Sequence, residues 1–219
     1  MLERRKRKVG VYRVPIPWLI GVCFDCTASI SDRDFRTMKE ELVTFLANVH
    51  YRAHDLKGHP SDFVALTAFQ GKNDIHKPGK PLGVVQMSQG PDVEALADWI
   101  GQLKNDGGST AVYDAVEITA KRLNNIDRQL RNPRLKVVLA VTDGKDNDSR
   151  NSSSDLSFFN VTDLNLSVIE VGTSSKLRRL RRYATTTHRI SGFEDLFHEI
   201  SVAIRQVIEE VSIERYRYR

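Results

Sequence analysis

Cysteine is nearly missing from this 219-residue chain, which holds only Cys23 and Cys26. Two thiols cannot build the disulfide framework of a small secreted scaffold. None is needed, because a chain of this length buries on the order of 70% of its unfolded surface by packing alone. Long apolar runs are missing too, and no stretch approaches the roughly 20 residues that span a bilayer. Neither G-x-x-x-x-G-K-[ST] nor G-x-G-x-x-G occurs, and no second carboxylate stands two residues after Asp25. Nucleotide-binding enzymes and phosphatases built on those patterns are therefore disfavoured, and the chain is read as non-enzymatic.

Two spacings invite metal or redox readings and are better explained otherwise. Cys23 and Cys26 form C-x-x-C, but Cys23 lies inside an apolar run and no helix start follows Cys26 closely enough to lower a thiol pKa. Both read as small core hydrophobes. His50, His54 and His59 follow H-x₃-H-x₄-H, yet Tyr51 stands where a metalloprotease needs Glu. A polar helix end and the loop after it account for them, and His76, His188 and His198 do not cluster.

Charge is distributed unevenly. Arg4, Arg5, Lys6, Arg7, Lys8 and Arg13 face Glu3 alone in the first fourteen residues, an excess equal to the whole chain's net +5. A second block, Lys176, Arg178, Arg179, Arg181, Arg182 and Arg189, has no acidic residue between its ends. The chain closes on Arg215-Tyr216-Arg217-Tyr218-Arg219. Such clusters attract phosphate backbones, acidic proteins or anionic surfaces. The simpler reading is a solvated arm and a solvated helix face, since Leu177, Leu180 and Ala184 recur at helical spacing. Although Arg4 to Lys8 precede the apolar run Trp18 to Phe24, that run is short, follows Pro15 and Pro17, and ends on Asp25, unlike a signal peptide. An intracellular location, cytoplasmic or nuclear, is expected.

The remaining pattern alternates strands and helices. Strands are predicted at about 17–25, 63–69, 83–87, 136–142, 166–171 and 188–190, the loop 71–81 leading into the third as a hairpin. Ser31-Asp32-Arg33-Asp34 reads as a capping box opening a helix to about His50. Further helices are predicted at 92–103, 111–130, 152–159, 176–184 and 193–213. This alternation implies an α/β fold, doubly wound, with a mostly parallel central sheet, helices on both faces and one short antiparallel edge strand. The expected organisation is a basic arm over 1–15, one domain over 16–213 and a basic, aromatic tail over 214–219.

Three segments carry the chemistry. Asp25-Cys26-Thr27-Ala28-Ser29 ends the first strand with one carboxylate and two hydroxyls at alternate positions, a half-shell of oxygens suited to a hard divalent cation. Gly107-Gly108-Ser109-Thr110-Ala111 places a hydroxyl on a glycine turn before a helix. Thr142-Asp143-Gly144-Lys145-Asp146-Asn147 ends another strand on a carboxylate. In this order the segments resemble the von Willebrand factor A (VWA), or integrin I-type, domain family with its metal-ion-dependent adhesion site.

Asp25, Thr27 and Ser29 match that family's D-x-[ST]-x-S motif, Thr110 its single threonine and Asp143 its second aspartate. The resemblance, spanning about residues 16 to 212, implies a Rossmann-like sheet and a bound Mg²⁺, with Mn²⁺ or Ca²⁺ as alternatives. It further implies that the three hydroxyls bind the metal while the two aspartates act largely through waters and hydrogen bonds. A cation so held keeps charge and a coordination position for a partner's Asp or Glu. Thr27 departs from the commoner serine; its hydroxyl is kept and its methyl restricts χ1. The function implied is metal-dependent protein binding, as an intracellular adaptor in a multiprotein complex, with AAA+ ATPases among the partners that analogy suggests. The alternative is nucleic-acid association through Arg4, Arg5, Lys6, Arg7, Lys8, Arg178, Arg179, Arg181, Arg182 and the Arg/Tyr tail.

Overall fold

A computed structural model describes residues 16–55, 62–71, 75–76, 84–130, 134–144, 147–149, 153–160, 162–172, 177 and 180–217. The basic arm over 1–15, Arg178, Arg179 and His59 lie outside the described residues.

The chain runs β1 (Trp18–Asp25), α1 (Asp32–Asp55), β2 (Phe63–Phe69), β3 (Ile75–His76), β4 (Val85–Gln86), α2 (Gly90–Gln102) and α3 (Val112–Asp127). It continues through β5 (Leu135–Thr142), β6 (Leu164–Val171), β7 (Thr186–Ile190) and α4 (Leu196–Arg217), with 3-10 turns at Ser153–Asn160, Leu180–Arg182 and Phe193–Asp195. Strand order is β3-β2-β1-β5-β6-β7, and β1, β2, β5, β6 and β7 are mutually parallel. The chain first winds outward from β1 to β2, then returns to β1's other side and winds out through β5, β6 and β7. Strand order therefore reverses between β1 and β5, where side chains beyond the strand ends are left uncovered by a crossover.

Parallel strands covered on both faces read as unbroken apolar runs rather than alternating ones, and β5 is buried at every position. Ile20, Val22, Phe24, Leu66, Leu139 and Val141 face α1, α2 and α4, whereas Leu19, Cys23, Ala65, Phe69, Val138 and Ala140 face α3. α1 buries the stripe Phe35, Met38, Leu42, Phe45, Leu46 and Val49. Its start is fixed by Ser31, whose hydroxyl accepts from the Asp34 amide (3.1 Å) and donates to the Asp34 carboxylate (2.8 Å). The helix runs five residues past His50, because Ala53 still finds the core.

The antiparallel edge consists of two short pieces, both against β2. β4 pairs with Phe63 and Val64, and β3 with Ala68 and Phe69. Between them Arg122 of α3 donates to the Leu66 carbonyl (2.5 Å) and the Thr67 hydroxyl (3.0 Å).

The helix expected over 176–184 does not form among the described residues; only Leu180–Arg182 makes a single 3-10 turn. Leu177 and Leu180 are drawn into the core beside α3, and the Thr185 amide already bonds the Leu166 carbonyl (2.7 Å), starting β7. Nor is the arginine block uniformly solvated. Arg181 forks onto the buried Glu170 carboxylate through Nε (2.8 Å) and Nη2, and Arg189 joins it at 3.3 Å. Arg182 is exposed. The backbone of 214–217 continues α4.

Gly21 marks where α3 sits closest to β1. A β-carbon there would strike Thr119 Cγ2 and lie 3.2 Å from Leu123 Cδ1. Thr119 is pinned by hydrogen bonds to Thr67 Oγ1 and the Ala115 carbonyl, so it cannot swing aside freely. Gly21→Ala is expected to cost about 1–3 kcal/mol by overpacking, measured as a lowered urea midpoint; an unchanged midpoint would contradict this seating of α3. Both cysteines are free and fully buried. Burial pushes the Cys23 thiol up to about 12 and raises Cys26 as well. Iodoacetamide at pH 8 should therefore label neither in the native protein and both after denaturation, read by mass spectrometry.

Candidate functional site

The carboxyl ends of β1 and β5 lie side by side, with Phe24 opposite Val141. Asp25, the last residue of β1, has no solvent exposure. Its Oδ1 accepts from the Thr27 amide (2.9 Å), turning the chain back on itself, and its Oδ2 accepts from the Thr142 hydroxyl (2.6 Å). Thr142 Oγ1 in turn accepts from the Gly144 amide (3.0 Å). Burial pushes the Asp25 carboxyl up to about 6; donation from Thr142 and Thr27 works against that rise, and the neighbouring Asp143 charge adds to it. No described cation pairs with Asp25.

The other oxygens converge on the same corner. Thr27 Oγ1 and Ser29 Oγ are 2.8 Å apart, and Ser29 Oγ donates to Asp143 Oδ1 at 3.1 Å. Thr110 Oγ1 and Asp25 Oδ2 flank one point: a β-carbon on Gly144 would lie 3.3 Å from the first and 3.5 Å from the second. The five residues singled out in the sequence thus meet in one place. Thr27 and Thr110 are buried, Asp143 is half-buried and Ser29 is exposed, so the cluster opens outward. A cleft of about 430 Å³ lies over it, bordered by Thr27, Ser29, Gly107, Thr110, Asp143 and Asn147. Among the described residues no group of three or more His, Cys, Asp or Glu gathers as a metal site. This set has two carboxylates and three hydroxyls instead, all hard oxygen donors.

A further layer of residues holds these loops, and the sequence reading passed over it. Gln70, just after β2, donates through Nε2 to the Cys26 carbonyl (3.0 Å), the Lys104 carbonyl (3.2 Å) and Asp106 Oδ1 (3.1 Å). Its side chain fills the space where a β-carbon on Gly107 would project, which is why glycine stands there. Gly107 then pairs with the first loop, its carbonyl accepting from the Ala28 amide (2.8 Å). Asn147 Oδ1 accepts from the Thr110 amide (2.7 Å), while the Asn147 amide donates to the Thr110 carbonyl (3.0 Å). Ser149 caps α3 from outside, accepting from the amides of Tyr113 and Asp114. Only the polarity of the turn from Thr142 to Asn147 signalled any of these partners.

Of the basic residues singled out in the sequence, Arg181 and Arg182 are described and do not line the cleft over this cluster. Arg181 is committed to Glu170, and Arg4, Arg5, Lys6, Arg7, Lys8, Arg178 and Arg179 lie outside the described residues. Likewise, His50 bonds the Met87 carbonyl and stacks edge-on with His54, a structural arrangement at the far end of α1. No helix among the described residues is long and apolar enough to cross a membrane.

Known proteins share this architecture. Proximal thread matrix protein 1 from the mussel byssus superposes with a TM-score of 0.65 at 17% identity, over 87% of this chain and 48% of its own. The present chain thus spans about half that protein's length. Another structure of the same protein has a zinc-occupied metal-ion-dependent adhesion site (TM-score 0.62, 17% identity, 87% of this chain and 48% of that one). The SpRpn10 VWA domain matches over 84% of this chain and 95% of its own, with a TM-score of 0.58 and 12% identity. No curated protein matches in sequence. Identities this low establish the fold alone. A model of the von Willebrand factor type A domain, a family of protein-interaction modules that are generally not enzymes, matches residues 20–208. From β1 into α4 the match is continuous, and the chain belongs to the von Willebrand factor type A domain family.

Proposed function

We propose that this domain binds a protein partner through a divalent cation, Mg²⁺ foremost, held by Asp25, Thr27, Ser29, Thr110 and Asp143. The observation that carries the reading is the convergence of these five oxygen-bearing side chains beside a buried carboxylate that no described cation neutralises. A negative charge out of water is costly unless compensated, and a bound cation would favour its ionised form. The donor set fits the group, being all hard oxygen with few charges.

Each residue has a distinct task in this reading. Thr27 and Ser29 offer neutral hydroxyls from one turn, which Asp25 closes through the Thr27 amide. Asp143 orients Ser29, and Thr142 orients Asp25, so hydroxyl and carboxylate lone pairs are aimed before any ligand arrives. Thr110 faces them from the glycine turn, fixed by Asn147. When bound, a cation with so little direct anionic ligation keeps affinity for an incoming Asp or Glu carboxylate. An intracellular adaptor role in a multiprotein complex, including one built around an AAA+ ATPase, is consistent with this chemistry and rests on family analogy.

Asp25→Ala or Asp143→Ala should abolish Mg²⁺ binding in calorimetry and carboxylate-partner capture together; unchanged Mg²⁺ affinity in both variants would refute the assignment. Capture should also vanish in EDTA and respond only weakly to salt. Nucleic-acid binding through the basic segments would instead fall steeply with ionic strength and survive EDTA. Gln70→Ala touches no proposed ligand but frees both loops, and should weaken Mg²⁺ binding roughly tenfold, as loss of an outer-shell partner does. Full affinity in that variant would remove Gln70 from the site.

A further inference from the structure

Beside the oxygen cluster lies a larger groove of about 740 Å³, which shares Ser29 and Asp143 with the first cleft. One wall is the first turn of α1, with Arg33 and Asp34; the other is the connection from β7 into α4, with Glu194. Ile30, Val171 and Phe193, all nearly buried, form its base. The two openings differ in character. The first is bordered by glycines and neutral side chains away from Asp143, whereas the second is charged.

Arg33 is the only cation lining this groove among the described residues. Its position runs against local preference, because a cation in the first turn of a helix opposes the macrodipole. Its acidic neighbours form no ion pair with it. Asp34 is engaged by the Ser31 hydroxyl, and Asp32 Oδ1 accepts from Asn105 Nδ2 at 3.3 Å. Glu194 folds back onto Gly192, where its carboxylate takes the space of an absent β-carbon. The Arg33 side chain is exposed and has no hydrogen bond, ion pair or ring contact with any described residue. Departures from local rules without structural gain concentrate at functional sites.

Resting on the metal-bridged reading above, we infer that the partner segment flanking the metal-bound acid runs into this groove, where Arg33 pairs with a second acidic side chain. The recognised class is an acidic peptide with two carboxylates, one at the cluster and one within reach of α1's first turn. Arg33 is then the residue that selects among carboxylate-bearing partners, since the cluster alone accepts any exposed acid.

Short capped peptides test this directly. Each carries one Asp in a glycine background, with Glu, Gln or Lys placed one, two or three residues to either side. They are titrated into the ¹⁵N-labelled protein in Mg²⁺ and followed by NMR. At the best spacing the Glu peptide should bind about fivefold tighter than the Gln peptide, as a partly exposed ion pair allows, and the Lys peptide more weakly than either. Arg33→Gln, an exposed change that spares the core, should bring the Glu-to-Gln ratio close to one. Equal binding of Glu and Gln peptides at every position, tighter binding of the Lys peptide, or a Glu preference that persists in Arg33→Gln would each overturn the inference. An EDTA arm separates the two layers. Binding that needs no Mg²⁺, or no binding of any peptide, would overturn the metal-bridged reading itself and this one with it.

Discussion

The hydrogen bond from Thr142 to Asp25 joins the ends of two strands that lie more than a hundred positions apart in sequence, and the rest of the rim is arranged around it. A carboxylate sealed from solvent must be supplied with donors, and here they come from its own turn and from β5. That requirement fixes register. Sliding β1 by one residue against β5 would move Asp25 away from Thr142 and turn its apolar neighbours to the wrong faces of the sheet. The parallel pairing of β1 with both β2 and β5, each buried, therefore stabilises the core and positions the site in one step.

Burial of this kind disfavours the ionised carboxylate. The Asp25 carboxyl is pushed up to about 6, chiefly by desolvation, and the half-buried Asp143 charge nearby adds to the difficulty. Elsewhere in this fold buried charges are paired: Glu170 has Arg181 and Arg189, and Lys136 has Asp127 and Asp163. The rim differs from these compensated pairs in that no described cation stands beside Asp25. Rigidity comes from the loop network, in which Gln70, Asn147 and Ser149 each tie down backbone that would otherwise move the oxygens.

Much of this could be read from the chain before any coordinates. Buried parallel strands appear as unbroken apolar runs, so Trp18 to Asp25 and Leu135 to Thr142 were recognisable, and oxygen-bearing residues at their ends marked the rim. The stripe of α1 and its Ser31 cap were equally legible, because both are local patterns. What stayed hidden was long-range. Gln70 is a single glutamine whose partners are a carbonyl 44 residues before it and a carbonyl and a carboxylate 34 and 36 residues after it. No spacing rule reports that. The helix expected over 176–184 failed for a related reason: its apolar spacing was real, but Leu177 and Leu180 serve the core from a turn, and Glu170 captures Arg181 from a neighbouring strand.

The outer side of β2 is closed in three ways at once: β4 on its first residues, β3 on its last, and the Arg122 guanidinium on the carbonyl between them. A sheet rim with free amides and carbonyls invites strands from other molecules. Here that rim presents little to pair with, and the opposite one, β7, is only five residues long and turns Thr187 and Arg189 outward. Among the described residues, neither rim of the sheet therefore offers a long free strand as a ready template on which crowded copies of this domain could stack edge to edge.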